Sequence, residues 1–127
     1  MNVEKVIFSF FNVLALTLNF GFVLGELGNP AHHHGIELFA VLVVNFITTG
    51  LKLGDRSQIG AVLLSTSLVA DLQLIAASIY WTVVVHITKT GLTSDIMTSI
   101  VGLSVGALLA NMISVLILVS DTLMSRR

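Results

Sequence analysis

The stretch that decides the fold is GAVLLSTSLVADLQLIAASIYWTVVV, residues 60–85. Asp71 is its only charged residue, and the stretch exceeds the roughly 20 apolar residues that a helix needs to cross a bilayer. A carboxylate at the centre of such a helix costs roughly 2.5–3.5 kcal/mol to insert, so it usually faces a bundle interior or a wet cavity. The stretch therefore predicts a membrane helix in which Asp71 is the candidate functional group.

The composition of the whole chain agrees with a membrane protein. Of its 127 residues 55% are hydrophobic and 10% are charged, whereas soluble domains carry about 25% charged residues. The net charge of −1 gives no indication of nucleic-acid binding. Because the chain has no cysteine, disulfides and thiolate metal sites are excluded. We expect one compact domain, residues 1–127, embedded in the lipid bilayer.

Breaks between the apolar stretches predict an all-α integral membrane protein, a compact bundle of four transmembrane helices with a long third helix. The predicted spans are roughly 4–25, 36–53, 58–88 and 95–120. The first stretch is longer than the apolar core of a signal peptide and lacks a cleavage site, so we expect it to be retained. The third could instead be two half-helices that meet near Asp71, but no helix-breaking residue lies there.

The lysines and arginines predict the orientation. With four spans, one side of the membrane holds Lys5, Lys52, Arg56, Arg126 and Arg127. Cytoplasmic segments are enriched in Lys and Arg. We therefore expect both termini in the cytoplasm, with a bacterial inner membrane as the location.

Polar residues recur at helical spacing in the second and third spans, which places them on one face of each helix. A hydrophilic track with a central carboxylate is what passage of a metal ion or proton requires. The residues of this predicted ion path are Asp71, Asn45, Ser67, Ser78, Thr82 and Glu37. The alternative is that such groups hold helices together by hydrogen bonds, and we prefer it for Asn12 and Asn19.

Small residues occupy every fourth position of the fourth span, where they allow close approach of two backbones. They include Gly102, Gly106, Ala110 and Ser114. The contact they predict lies either within the chain or between subunits. Because so small a bundle has little interior for a pore, we expect a homo-oligomer.

The histidines form a second candidate site near the outer surface. Imidazole and carboxylate groups together suit divalent transition metals. The predicted ligands are His32, His34, Glu37 and His86. A divalent metal ion is thus the possible cofactor, and a polar surface loop is the alternative explanation.

Three functions remain open. The first is a small oligomeric membrane protein that conducts or exchanges a cation, with Asp71 in the path. The second is a non-transporting accessory or regulatory subunit of a larger membrane complex. The third is an outward-facing metal sensor built on the histidines. The sequence has no HExxH, GxSxG or phosphate-binding loop motif, so we do not expect an enzyme.

Overall fold

The computed structural model describes residues 3–25, 28–29, 31, 33–55, 57–89 and 91–125. Within them lie four helices: α1 (Val3–Val23), α2 (Gly35–Lys52), α3 (Gln58–Thr82, continued by a π-helical turn at Val83–Ile87) and α4 (Ser94–Ser125). Each of the four is long and apolar enough to cross a membrane. The predicted all-α, four-span membrane fold is therefore confirmed.

Two details of the third and fourth helices refine the predicted spans. The third helix passes Asp71 without a break, so it is not a pair of half-helices; its geometry changes only at the π turn, where the Thr88 N–H donates to the Val83 carbonyl at 2.8 Å. The fourth helix continues to Ser125 rather than ending near residue 120. Its last turns remain helical although they carry polar side chains. The Thr122 hydroxyl group, for example, donates its hydrogen to the Leu118 carbonyl of the same helix at 2.9 Å.

The four helices form a closed ring: α1 packs against α2, α2 against α3, α3 against α4, and α4 against α1. Short connections make consecutive helices antiparallel. One end of the bundle therefore contains the start of α1, the end of α2, the start of α3 and the end of α4. We call it the lysine end after Lys5 and Lys52. We call the opposite end, with His33 and His86, the histidine end.

The interior of the bundle is layered. A small apolar cluster, Phe8, Leu63 and Leu118, closes the lysine end, and a larger cluster fills the interior toward the histidine end. Between them lies a set of polar side chains, each 9% exposed or less, which we call the polar layer. Its members are Asn12, Asn45, Thr48, Thr49, Ser67, Asp71, Asn111 and Ser114.

Candidate ion-binding site in the bundle interior

Asp71 lies in the polar layer and is 5% exposed. It is held there because α3 buries the face that also carries Leu63, Ser67 and Leu74. The Thr49 hydroxyl group on α2 lies within hydrogen-bond distance of Asp71 Oδ2. Asp71 Oδ1 has no hydrogen-bond partner among the described residues. The carboxyl group is thus half satisfied inside the protein.

Asn45 and Asp71 lie on facing helices and are linked through Thr49. The Thr49 hydroxyl oxygen lies 2.9 Å from the Asn45 carbonyl oxygen as well as close to Asp71. The Asn45 amide nitrogen donates to the Val41 carbonyl at 3.0 Å, while its side-chain oxygen has no partner in the part of the chain that is described. A buried acceptor without a donor is unfavourable by roughly 1–3 kcal/mol. A cluster with such a surplus of acceptors suits a proton, a cation or a water molecule.

The asparagines of α1 have a different role, since they join α1 to α4. Ser114 donates to Asn12 Oδ1 at 3.2 Å. With its amide oriented to satisfy both ends, Asn19 donates to the Ser104 carbonyl at 3.0 Å and accepts from the Leu108 N–H at 3.0 Å. This is the interhelical role that the sequence favours for Asn12 and Asn19.

The predicted polar stripe along α3 is interrupted. Ser67 and Ser78 are buried, at 2% and 5% exposure, and Thr82 is half-buried. Leu74, however, is fully buried on the same face between Asp71 and Ser78. The buried face follows the spacing four, three, four, which selects Leu74 rather than the half-buried Ile75. A continuous hydrophilic track toward the histidine end is therefore absent from the described residues.

Glu37 does not join the Asp71 cluster. It lies in the first turn of α2, eight residues before Asn45, which is about 12 Å along the helix axis. Its carboxylate instead points at α1: Glu37 Oε2 lies 3.2 Å from the position that a Cβ atom on Gly21 would occupy. Gly21 thus makes room for Glu37 between the two helices.

The predicted metal ligands are not brought together in the part of the chain that is described. His34 and His86 are exposed, and His32 lies outside the described residues. Among the described residues, no three His, Asp or Glu side chains are placed to hold a metal ion. A metal site at these residues stays a prediction that the described geometry does not support.

His33, which the sequence did not single out from its neighbours, is buried at 2% exposure. Its Nδ1 lies 2.6 Å from the Phe22 carbonyl oxygen, and the two rings lie 5.6 Å apart. The bond ties the start of α2 to the end of α1. No sequence signal separates His33 from the neighbouring histidines, because its partner Phe22 lies on another helix.

The small residues of α4 divide into two groups. Gly106 faces α3, where a Cβ atom would meet the Gln73 side chain, with Oε1 at 2.5 Å; Ala110 and Ser114 are buried. Gly102 is exposed, and a Cβ atom there would meet nothing within 4 Å. Four residues turn an α-helix by about 400°, so the ridge drifts by roughly 40° per step out of the contact. Gly102 accordingly belongs to no contact within the described chain.

A recess of about 690 Å³ opens at the lysine end, with Phe8, Leu63 and Leu118 as its apolar floor. Its wall carries Glu4, Lys5, Lys52, Asp55 and Asp121. Asp71 does not line this recess, and only 5% of its surface is exposed. The candidate site is therefore occluded.

The turn between α2 and α3 fixes the wall of this recess. Asp55 accepts from the Ser57 N–H at 3.0 Å, from the Ser57 hydroxyl at 2.7 Å and from Lys52 at 3.3 Å. These donors, the Ser57 N–H foremost, lower the pKa of the Asp55 carboxyl below its ordinary value. Lys52 also lies over the Phe8 ring, 4.2 Å from its centroid. Lys52 thus contacts both Asp55 and Phe8 at the mouth of the recess.

These features define a four-helix integral membrane protein with an occluded carboxyl group in its interior. Residues 32–122 match the model of the family described as "Family of unknown function (DUF6394)", and the chain belongs to that family. The matched range contains Asn45, Thr49 and Asp71. Comparisons with curated proteins and with solved structures gave no match.

Proposed function

We propose that this protein exchanges a cation across the membrane and that Asp71 is the group that binds it. The observation that carries the proposal is the half-satisfied carboxyl group of Asp71 in the polar layer, which also contains an Asn45 side-chain oxygen that has no partner among the described residues. Ionisable residues at such depth tend to mark ion or proton pathways. Apolar clusters on both sides of the polar layer support exchange through an occluded state rather than an open pore.

The number of hydrogens around Thr49 favours a proton, rather than a metal ion, as the cation that Asp71 binds. A threonine hydroxyl has one hydrogen, yet the Thr49 oxygen lies close to two acceptors, the Asn45 carbonyl and Asp71 Oδ2. If Asp71 is protonated, it donates to Thr49 and Thr49 donates to Asn45, so each contact has its own hydrogen. If Asp71 is ionised, one contact has none. The geometry therefore supports a proton on Asp71 in this occluded arrangement.

The ionisable side chains around Asp71 lie toward the ends of the helices that enclose it. On α1 they are Glu4 and Lys5, on α2 Glu37 and Lys52, on α3 Tyr80, and on α4 Asp95 and Asp121; His86 lies in the π turn that continues α3. Lys52 is the nearest in sequence to Thr49, three residues away, and its ammonium group is directed to Asp55 and Phe8. Among the described residues of the polar layer there is thus no cationic side chain that would stabilise an ionised Asp71 in place of the proton.

The route to Asp71 from the lysine end is shorter than the route from the histidine end. Thr49 and Lys52 are separated by less than one turn of α2, and Lys52 lines the recess. Toward the histidine end, Leu74 and the larger apolar cluster lie in the way. Movement of Phe8, Leu63 and Leu118 opens the site to the recess in this proposal.

The orientation and assembly belong to the same proposal. The lysine end faces the cytoplasm of a bacterial cell, as Lys5 and Lys52 support, and the exposed Gly102 supports a contact between copies of the chain. A reporter fused to the C-terminus tests the orientation. Activity of a periplasmic reporter there would overturn it.

Reconstitution in liposomes tests the exchange. We expect proton flux from the wild-type protein, loss of flux in Asp71→Asn, and unchanged flux in the control Asp95→Asn, which alters an exposed carboxylate at the histidine end. Flux of alkali or divalent ions without protons would overturn the choice of the proton. Absence of flux for all cations would overturn the exchange and favour an accessory subunit of a larger complex.

Infrared spectroscopy tests the protonation separately. The difference between wild type and Asp71→Asn should contain the carbonyl stretch of a protonated carboxylic acid. Thr49→Val should shift this band because the hydrogen-bond partner is lost, and Thr49→Ser should restore it. A carboxylate band in place of the acid band would contradict the hydrogen count.

A further inference from the structure

A second recess continues from the first along the outside of the bundle. It is a groove of about 670 Å³ between α1 and α4, and Lys5 lines both the groove and the recess at the lysine end. Thr122, which lines the groove, follows Asp121, which lines the recess. The charged recess and the groove are thus neighbours at the lysine end, with Lys5 between them.

The groove is apolar below its mouth. Its wall includes Val6, Phe10, Val13 and Leu14. Thr17 and Thr122 also line it, but their hydroxyl groups donate to the carbonyls of Leu14 (3.0 Å) and Leu118 (2.9 Å) of their own helices. Since those hydrogens are already used, the surface offers mainly carbon atoms to an occupant.

The length of the groove matches one leaflet of a bilayer. From Lys5 to Thr17 it follows twelve residues of α1, about 18 Å along the axis. One leaflet contributes half of a hydrocarbon core that is about 30 Å thick. An acyl chain that lies along α1 from the lysine end therefore remains within the groove for most of its depth.

The mouth carries both signs of charge. Lys5 and Lys52 supply positive charge, while Glu4 and Asp121 supply carboxylates in addition to Asp55, which Ser57 and Lys52 already occupy. A phosphate alone would meet more carboxylates than lysines. A headgroup that joins a phosphate to a primary ammonium complements both sets, because an ammonium N–H donates to carboxylates.

We infer that the seam between α1 and α4 at the lysine end is a binding site for one phospholipid with an ethanolamine-type headgroup. The phosphate lies by Lys5 and Lys52, the ammonium by Glu4 and Asp121, and one acyl chain fills the groove. This site is distinct from Asp71, and the inference does not depend on cation exchange.

Native mass spectrometry of the full chain, delipidated in detergent, tests the site. Phosphatidylethanolamine, phosphatidylcholine and phosphatidylglycerol with identical acyl chains are added in competition. We expect one ethanolamine lipid per chain to be retained several-fold over the other two, because choline has no N–H group and glycerol has no cation. Equal retention of the three lipids would overturn the inference.

Variants separate the headgroup from the acyl-chain contacts. Glu4→Gln combined with Asp121→Asn should remove the preference for ethanolamine over choline, whereas the control Asp95→Asn should keep it. Ser9→Trp, which fills the groove, should reduce retention of all three lipids several-fold. Unchanged retention in Ser9→Trp would contradict the groove as the acyl-chain site, even if the double variant failed to fold.

Discussion

His33 is joined to Phe22 twice, by a hydrogen bond from Nδ1 to the backbone carbonyl at 2.6 Å and by contact of the two rings. The next histidine, His34, is exposed. We expect His33→Ala to lower the free energy of unfolding by roughly 1–3 kcal/mol, because the Phe22 carbonyl loses its donor. His34→Ala should change it little. Thermal unfolding in detergent measures both, and equal effects would show that the buried bond is unimportant.

Adjacent threonines on α2 isolate the bond to Asp71. Thr48 and Thr49 both bond the backbone one turn earlier, but only Thr49 also reaches Asp71. Thr49→Val should destabilise the protein by roughly 1–3 kcal/mol more than Thr48→Val, since it leaves both oxygens of Asp71 without a partner. Chemical unfolding in detergent measures the difference. Similar values for the two variants would argue against the interhelical bond.

Two glycines of α4 form a matched pair for helix packing. Leucine at either position gains about 1 kcal/mol of helix propensity. Gly106→Leu must also displace Gln73 from α3, so we expect net destabilisation by roughly 1–3 kcal/mol. A Cβ atom at Gly102 meets nothing within 4 Å, so Gly102→Leu should keep the gain and make the monomer about 1 kcal/mol more stable. If Gly102→Leu instead disrupts an oligomer seen by light scattering, that glycine lies between subunits.

Acidification should weaken the turn between α2 and α3. The pKa of Asp55 is lowered from its ordinary value of 3.8, chiefly by the Ser57 N–H. The stability it contributes is therefore fully present above pH 3.8 and is lost as the pH falls through the lower pKa of the folded state. Chemical unfolding of the wild type and of Asp55→Asn, from above pH 3.8 downward, measures this contribution to the free energy of unfolding. The difference between them should shrink at low pH, and a constant difference would contradict the linkage.

The sequence predicted the four spans because apolar stretches of membrane length alternate with short polar turns. It also singled out Asp71, because a charged side chain within a membrane span is energetically unfavourable and tends to have a function. It did not identify Thr49 as the residue that bonds Asp71. This contact depends on the rotation of α2 against α3, which the packing of the whole bundle sets.

Other features depended on several segments at once. Leu74 interrupts the polar stripe because the packing of the neighbouring helices buries it in place of Ile75, although both positions fit a helical spacing. The recess is assembled from the ends of four helices, so no single motif marks it. His33 is distinguished from its neighbours only by the position of Phe22 on another helix.

The unequal helix lengths relate the protein to bilayer thickness. α2 has 18 residues, about 27 Å, whereas α3 with its π turn has 30 residues, about 45 Å. A membrane thin enough to match α2 leaves α3 to tilt or to extend beyond the hydrocarbon, and a thicker one draws polar ends of α2 inward. Since Thr49 bonds Asp71 only one turn from the end of α2, hydrophobic mismatch at that end acts directly on the environment of the buried carboxyl group.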